Sequence, residues 1–99
     1  LAALSYTSGT TGSPKGVMFS YESFVHTGAN LELTYKINSN YITTVSTPMF
    51  HVLGFNDTVL PVLMSGGTLI LQRYFNGEAL NDMMAQYHHT FSIMIPTMY

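Results

Sequence analysis

The spacing of hydrophobic and polar residues changes several times along the chain, and each change predicts an element of secondary structure. Short apolar runs at residues 2–6 and 16–19 are typical of buried strands, because both are too short for a helix and both flank a segment rich in Gly, Ser and Thr. Ser20 is a suitable N-cap for a helix from residue 21 to about residue 35. A turn at residues 36–40 follows, since its Asn and Ser side chains favour bonds to the local backbone.

The second half of the chain continues this alternation. Residues 41–47 are rich in β-branched and aromatic side chains and predict a strand. Residues 54–64 then predict a helix, despite the proline at position 61. A turn at Ser65-Gly66-Gly67 leads into another predicted strand at residues 68–72.

The last quarter of the chain predicts one more helix and one more strand. Asn76 is a suitable cap, and apolar residues then recur at positions i, i+3, i+4 and i+7 of one helix face: Leu80, Met83, Met84 and Tyr87. We interpret the two methionines as core filler. Residues 90–95 predict a final buried strand. Alternating strands and helices imply an α/β fold, with a mostly parallel sheet layered with helices.

The composition changes this picture in one respect. Charged residues make up 8% of the chain and hydrophobic residues 46%, whereas an ordinary soluble domain carries about 25% charged residues. Many helix and sheet faces should therefore be covered by protein outside these 99 residues. We expect the chain to be an interior piece of a larger protein.

Charge, hydropathy and cysteine content exclude several classes of function. The net charge is −2 with three basic residues in total, so we expect no nucleic-acid partner. Apolar runs are much shorter than the roughly 20 residues that a membrane span needs. The chain has no cysteine, which excludes disulfides and thiolate chemistry within it. No basic leader precedes an apolar stretch, and we expect a cytoplasmic protein.

The segment from Thr7 to Gly16 has a composition suited to phosphate binding. It holds three glycines, five hydroxyl residues and Lys15. Glycines allow several backbone N–H groups to point into one concavity, hydroxyls donate without adding charge, and lysine adds a mobile positive charge. A flexible linker is the alternative interpretation. The predicted strands on both sides place the segment inside a domain.

The spacing excludes two common nucleotide-binding motifs. In G-x-x-x-x-G-K-[ST] the lysine directly follows the second glycine, whereas Ser13 and Pro14 separate Gly12 from Lys15 here. A G-x-G-x-x-G fingerprint is also absent, because the glycines stand at positions 9, 12 and 16. We therefore expect neither a Walker loop nor a dinucleotide-binding fold.

Two blocks of the sequence resemble one known family. Residues 7–16, Thr-Ser-Gly-Thr-Thr-Gly-Ser-Pro-Lys-Gly, resemble the signature of the adenylate-forming superfamily, which includes acyl-CoA synthetases, coumarate-CoA ligases, luciferase-like enzymes and peptide-synthetase adenylation domains. Residues 48–55, Pro-Met-Phe-His-Val-Leu-Gly-Phe, resemble the P-x-F-H-x-x-G block that follows in acyl- and aryl-CoA ligases. The resemblance implies that residues 1–99 are a fragment of the large N-terminal, AMP-binding domain.

The resemblance also implies roles for individual residues. The loop would wrap the β- and γ-phosphates of ATP through Thr7, Ser8, Gly9, Thr10, Thr11 and Gly12. Lys15 would lie near these phosphates, and Thr7 would also contact Mg²⁺. His51 would lie beside the carboxylate and the α-phosphate and assist catalysis, although such a histidine alone is more often a core or turn residue. The acyl or aryl pocket would include Leu53, Gly54 and Phe55 beside His51.

The implied reaction joins a carboxylic acid to ATP and releases pyrophosphate. The acyl-adenylate would then form a thioester with coenzyme A. The carboxylate is already ionised, so no general base is needed, and positioning and electrostatics must lower the barrier. Two alternatives stay open: an adenylation domain that loads a carrier protein, and a non-catalytic nucleotide-binding module. We expect the isolated 99 residues to be inactive without the rest of the parent enzyme.

The remaining histidines carry no predicted function. His88 and His89 are adjacent, so they point in different directions on a helix, and no cysteine or suitably spaced carboxylate joins them as a metal ligand. His26 lies within the first predicted helix, where a surface or packing role is expected.

Overall fold

A computed structural model of the chain describes residues 1–9 and 12–98. Its strands are β1 (Ala3–Thr7), β2 (Lys15–Phe19), β3 (Ile42–Val45) and β4 (Thr68–Leu71). Its helices are α1 (Tyr21–Tyr35), α2 (Val52–Gly54), α3 (Leu60–Met64) and α4 (Gly77–Gln86), with a π-helical turn at Phe55–Val59 and a 3₁₀ turn at Pro96–Met98. The predicted α/β class is confirmed. No helix in the described ranges has both the length and the apolar character needed to cross a bilayer.

The parallel pairing lies in the second of two small sheets. β3 and β4 run parallel, in register from Ile42 opposite Thr68 to Val45 opposite Leu71, and the helical segment 52–64 makes the crossover between them. β3 is the most buried strand: Thr43, Thr44 and Val45 are each at most 2% exposed. This sheet and the helices on it match the predicted layered arrangement.

The first two strands form a separate antiparallel hairpin. β1 and β2 pair in register from Ala3 opposite Phe19 to Thr7 opposite Lys15. A short loop can return the chain only in the antiparallel sense, because a parallel pair needs a long crossover. The hairpin contacts the rest of the chain through Phe24 of α1, whose ring stacks on Phe19 at 5.4 Å between centroids.

The predicted burial of these two strands is wrong for the chain as described. Leu4, Tyr6, Val17 and Met18 are between 43% and 75% exposed. Their apolar character indicates a preference for burial, but a two-stranded ribbon has two faces and cannot cover either of them by itself. The described residues leave these side chains uncovered.

Local capping explains the accuracy of the predicted α1 boundaries. The Ser20 hydroxyl accepts a hydrogen bond from the Ser23 N–H at 3.0 Å and begins the helix. Lys36 ends it in the left-handed conformation, with φ of 55°, and donates its N–H to the Glu32 carbonyl. In the predicted turn that follows, Asn38 Oδ1 accepts the Asn40 N–H at 3.0 Å.

The predicted helix at residues 54–64 forms with an irregular middle. Pro61 has no N–H and cannot donate to the carbonyl of residue 57, as a regular α-helix would require. The chain widens into the π-helical turn just before it, where the Leu60 N–H donates to the Phe55 carbonyl five residues back. The Thr58 hydroxyl donates to the Leu53 carbonyl at 2.9 Å and satisfies an acceptor beside this turn.

The last predicted helix is confirmed, whereas the strand predicted at residues 90–95 is wrong. Asn76 Oδ1 caps α4 by accepting the Ala79 N–H at 2.9 Å. Beyond α4, the Thr90 N–H donates to the Ile42 carbonyl of β3 at 2.9 Å. Side chains then take the places of ladder partners: Thr90 Oγ1 accepts the Ile42 N–H, and His89 Nε2 accepts the Thr44 N–H. The free edge of β3 is therefore closed without a regular strand.

We predict that this closure weakens in acid, because burial lowers the pKa of His89. The unfolded chain then binds this proton more readily than the folded chain. The free energy of unfolding therefore rises with pH between the folded pKa and about 6.5, and it falls on acidification through the same window. The hydrogen-exchange protection factor of the Thr44 amide, corrected for the intrinsic rate, should drop below pH ~6.5.

The matched variant is His89→Gln, whose amide oxygen can accept the same N–H without titrating. Thr44 protection in this variant should stay flat over the same pH window. An unchanged pH dependence in His89→Gln would assign the effect to another group.

Candidate functional site

The hairpin places both ends of the phosphate-type loop opposite each other. Thr7 is the last residue of β1, Lys15 is the first residue of β2, and the two are partners in the strand register. Thr7, Ser8, Gly12 and Lys15 are all exposed. Thr10 and Thr11, two of the predicted phosphate contacts, lie outside the described residues. The described part of the loop thus presents a hydroxyl and an ammonium side by side at the hairpin tip.

Two glycines are required by the backbone of this loop. Gly12 has a φ of 83°, a conformation that residues with a side chain rarely adopt, and its N–H donates to the Gly9 carbonyl at 3.2 Å. A Cβ at Gly9 would collide with the carbonyl oxygen of Ser13. Close packing therefore requires glycine at position 9, and the backbone conformation favours glycine at position 12.

The electrostatics of the hairpin favour an anion. Lys15 is the only charged side chain among residues 1–19, so no carboxylate within the hairpin competes for its ammonium. Exposed hydroxyl and backbone donors beside it add hydrogen bonds without adding positive charge. Such a loop can hold phosphate oxygens by short-range contacts.

His51 is held at the start of the crossover helix. Its N–H donates to the Pro48 carbonyl at 3.0 Å, and its carbonyl accepts the N–H groups of Gly54 and Phe55 at 3.1 Å each. Its ring caps α2, because Nδ1 accepts the Leu53 N–H at 3.2 Å. The residue as a whole is exposed. The backbone is therefore fixed while the imidazole faces open space.

Two cavities meet at this histidine. The larger, which we call the strand-end cavity, has a volume of about 1000 Å³ and lies at the carboxyl ends of β3 and β4, lined by residues 45–51, 71–75 and the segment around the 3₁₀ turn. The smaller, the hairpin cavity, has a volume of about 350 Å³ and is lined by residues 3–6 of β1 and by residues 49–52. His51 lines both of them.

The hairpin cavity links the two sequence blocks. Tyr6, which directly precedes Thr7, lines the same cavity as His51. Phe24 holds the two sides together, because its ring stacks on Phe19 of the hairpin and meets Phe55 edge to face at 5.9 Å. The structure therefore brings the loop-bearing strand and the histidine block to one concave surface.

The other predicted pocket residues do not line a common cavity. Leu53 lines the strand-end cavity, whereas Phe55 lines the hairpin cavity. Gly54 lines neither; it is buried, and a Cβ there would overlap the Pro48 carbonyl oxygen. Its position is set by close packing of the helix against the turn after β3.

Several polar residues near the site escaped the sequence prediction. Asn56 is buried, at 6% exposure, and lines the hairpin cavity. Gln72 and Arg73 follow β4 and line the strand-end cavity. Burial raises the pKa of Asp57, and the nearby His51 offsets part of that rise. Two sequence signals could have identified them: polar residues inside an apolar helical run, and polar residues directly after a parallel strand.

The described residues offer little for a metal by themselves. Within residues 1–9 and 12–98, no three His, Asp or Glu side chains are grouped closely enough to hold an ion. Mg²⁺ commonly uses one or two protein oxygens together with substrate phosphates and water. The exposed Thr7 hydroxyl can serve as such a protein oxygen, with phosphate oxygens of the substrate supplying the negative charge around the ion.

Comparison with known proteins gives a consistent result. The family model described as AMP-binding enzyme matches residues 1–99. The chain is 34% identical over 96 residues to a feruloyl-CoA synthase of Amycolatopsis sp, covering 97% of this chain and 20% of that protein. It is 35% identical over 101 residues to 4-coumarate–CoA ligase 3 of Arabidopsis thaliana, covering 96% of this chain and 18% of that protein.

Solved structures agree with the sequence comparison. Apo MatB from Rhodopseudomonas palustris superposes with a TM-score of 0.89 at 27% identity, over 100% of this chain and 19% of that chain. O-succinylbenzoate coenzyme A synthetase from Bacillus subtilis, in complex with ATP and magnesium, gives a TM-score of 0.86 at 26% identity, over 96% and 20% of the two chains. The chain thus spans about one fifth of the length of these proteins.

We predict that Gly54→Ala destabilises the fold, because the new methyl group would overlap a backbone oxygen that cannot rotate away. Overpacking of this kind costs roughly 1–3 kcal/mol. Gly77→Ala is the matched control: position 77 is the first residue of α4, and a Cβ there meets nothing within 4 Å. Urea unfolding should show a lower midpoint for Gly54→Ala only. Equal midpoints would show that the turn after β3 shifts to accommodate the methyl group at little cost.

Proposed function

The chain belongs to the AMP-binding enzyme family, and we propose that the protein that carries it is an acyl-CoA synthetase-like ligase. The carboxylate of an organic acid attacks the α-phosphorus of ATP, and pyrophosphate leaves. The thiol of coenzyme A then attacks the acyl carbon of the adenylate, and AMP leaves as the thioester forms. In this proposal the 99 residues are part of the large N-terminal domain of the parent enzyme.

One observation carries the proposal: the hairpin and the histidine block share a cavity. Tyr6 and His51 both line it, and the phosphate-type loop begins one residue after Tyr6. The reaction needs the phosphate tail of ATP and the carboxylate on neighbouring sides of one α-phosphorus. Adjacent anion-binding and acid-binding elements meet that requirement.

In this proposal the loop holds the leaving pyrophosphate. Backbone N–H groups and hydroxyls of Thr7, Ser8, Gly9 and Gly12, with Thr10 and Thr11, donate to the β- and γ-phosphates, and the Lys15 ammonium lies near them. Mg²⁺, when bound through phosphate oxygens and the Thr7 hydroxyl, would neutralise part of the phosphate charge. Such fixed donors lower the barrier by stabilising charge that develops as pyrophosphate departs.

His51 is proposed to lie beside the carboxylate and the α-phosphate. Its exposed ring stands where the two cavities meet, which suits a group that contacts both reactants. The carboxylate reaches the site ionised, so the histidine has no proton to remove from it. Orientation of the two anions is therefore its expected contribution.

The strand-end cavity supports an apolar acid as the substrate. Its lining is dominated by apolar side chains, among them Val45, Met49, Phe50 and Leu71. The relatives are named for aromatic acids, ferulate and coumarate, and for coenzyme A as acceptor. We therefore favour a fatty or aromatic acid over an amino acid, and coenzyme A over a carrier protein.

We predict that Lys15→Met slows carboxylate-dependent exchange of pyrophosphate into ATP by the full-length protein. The variant removes the only charged side chain of the hairpin, and loss of one donor to developing charge typically costs about 10²-fold in rate. Lys36→Met is the matched control, because Lys36 ends α1 and lines neither cavity. A normal rate in Lys15→Met would remove the loop lysine from the mechanism.

The same assay separates the alternatives. Exchange that needs the carboxylate, followed by a thioester with free coenzyme A, is the expected result. Exchange with transfer only to a carrier protein would identify a carrier-loading adenylation domain. Nucleotide binding without exchange would identify a non-catalytic module.

A further inference from the structure

The hydrogen bond that caps α2 also fixes the protonation of the His51 ring. A neutral imidazole carries one N–H donor and one bare acceptor nitrogen. Nδ1 accepts the Leu53 N–H, so Nδ1 must be the bare nitrogen and the ring proton must lie on Nε2. The cap and the tautomer are therefore one and the same arrangement.

The geometry leaves Nε2 available to a ligand. His51 is exposed and lines both cavities, and the hydrogen bond that its ring makes within the described residues is the one at Nδ1. A ring pinned at one nitrogen by backbone keeps its other nitrogen at a fixed place, because the backbone at position 51 is itself bonded to Pro48, Gly54 and Phe55. Nε2–H is thus a pre-oriented donor.

We propose that the Leu53 N–H is a positioning group that holds His51 as the Nε2–H tautomer, so that this ring acts as a hydrogen-bond donor to an anionic oxygen and not as a general base. This inference rests on the proposed adenylate-forming function, and it assigns the chemical role of the histidine within it. The oxygen belongs to the carboxylate or to the α-phosphate, the anionic groups that must approach each other at this point.

The chemistry of the reaction agrees with a donor. A bare Nε2 would present a lone pair to an incoming carboxylate and repel it. Nε2–H attracts the same oxygen and adds no net charge to the ring. The Leu53 N–H is free to serve as the positioning group because it lies in the first turn, where helix N–H groups have no intrahelical partner.

The direct test reads the tautomer in the full-length protein. Nitrogen-15 NMR of labelled histidine should show the His51 proton on Nε2 at a pH where the ring is neutral. A proton on Nδ1, or an even mixture of the two tautomers, would overturn the inference. This measurement needs no variant and no turnover.

Leu53→Pro tests the positioning group, with Leu53→Ala as its control. Proline removes the N–H and is compatible with the first turn of a helix, whereas alanine keeps the N–H and shortens the side chain. The Nε2–H tautomer should persist in Leu53→Ala and give way to a mixture in Leu53→Pro. The same tautomer in both variants would show that something else fixes the ring. If Leu53→Pro does not fold, the spectrum of the unmodified protein decides.

Two variants of the histidine separate its two contacts. His51→Asn keeps a strong N-cap but lacks a donor at the reach of Nε2, whereas His51→Gln keeps an amide donor at that reach and is a poor cap. Exchange of pyrophosphate should fall at least about 10²-fold in His51→Asn and about tenfold in His51→Gln. Protection of the Leu53 amide should show the opposite order. Higher activity in His51→Asn would overturn the donor role.

The results also distinguish this inference from the function on which it rests. If the full-length protein shows no exchange at all, the proposed function fails, while the NMR spectrum still decides the tautomer. If exchange runs normally and the proton lies on Nδ1, the ligase assignment stands and the donor role falls.

Discussion

The pairing of β3 with β4 determines where the other elements of the site can lie. Because the strands are parallel, their carboxyl ends point the same way, and the chain must leave both of them on one side. The turn after β3 delivers His51 there, and the segment after β4 delivers Gln72 and Arg73. A large cavity at that edge is the usual outcome of such a sheet. The pairing of the two backbones therefore sets the position of the histidine block.

The other edge of β3 is closed by polar side chains together with one backbone bond, from the Thr90 N–H to the Ile42 carbonyl. Two of its N–H groups are accepted by Thr90 Oγ1 and His89 Nε2, and the Thr43 hydroxyl donates to the Phe91 carbonyl at 2.6 Å. An open strand edge is a template for unwanted pairing. Here it is covered without a regular partner strand, and the chain beyond residue 91 is left free of the ladder to run towards the strand-end cavity. Polar side chains thus make hydrogen bonds that the sequence pattern predicted for the backbone of a strand at residues 90–95.

Features that depend on near neighbours in the sequence were predicted well. The start and end of α1, the cap at Asn76 and the turn at residues 36–40 all rest on contacts within a few positions. The alternation of elements also gave the α/β class and the parallel pair.

Features that depend on distant residues were not predictable in this way. The strand at residues 90–95 failed because His89 and Thr90 compete with the backbone for β3, and hairpin burial failed because it depends on which surfaces lie against Leu4 and Val17. At the site, the motifs singled out His51 and the loop, but only the fold showed that Gly54 serves packing and that Asn56 faces a cavity.

The π-helical turn at Phe55–Val59 divides the crossover helix into two parts. Its first part carries His51 at one end, and its last part is seated against α1, where Gly28 leaves room for Met64. The Leu60 N–H bonds to the carbonyl five residues back, so the α-helical hydrogen-bond pattern is interrupted between these two parts. The crossover therefore has two separately held ends: the histidine end depends on its bonds to the turn after β3, and the far end depends on its packing against α1.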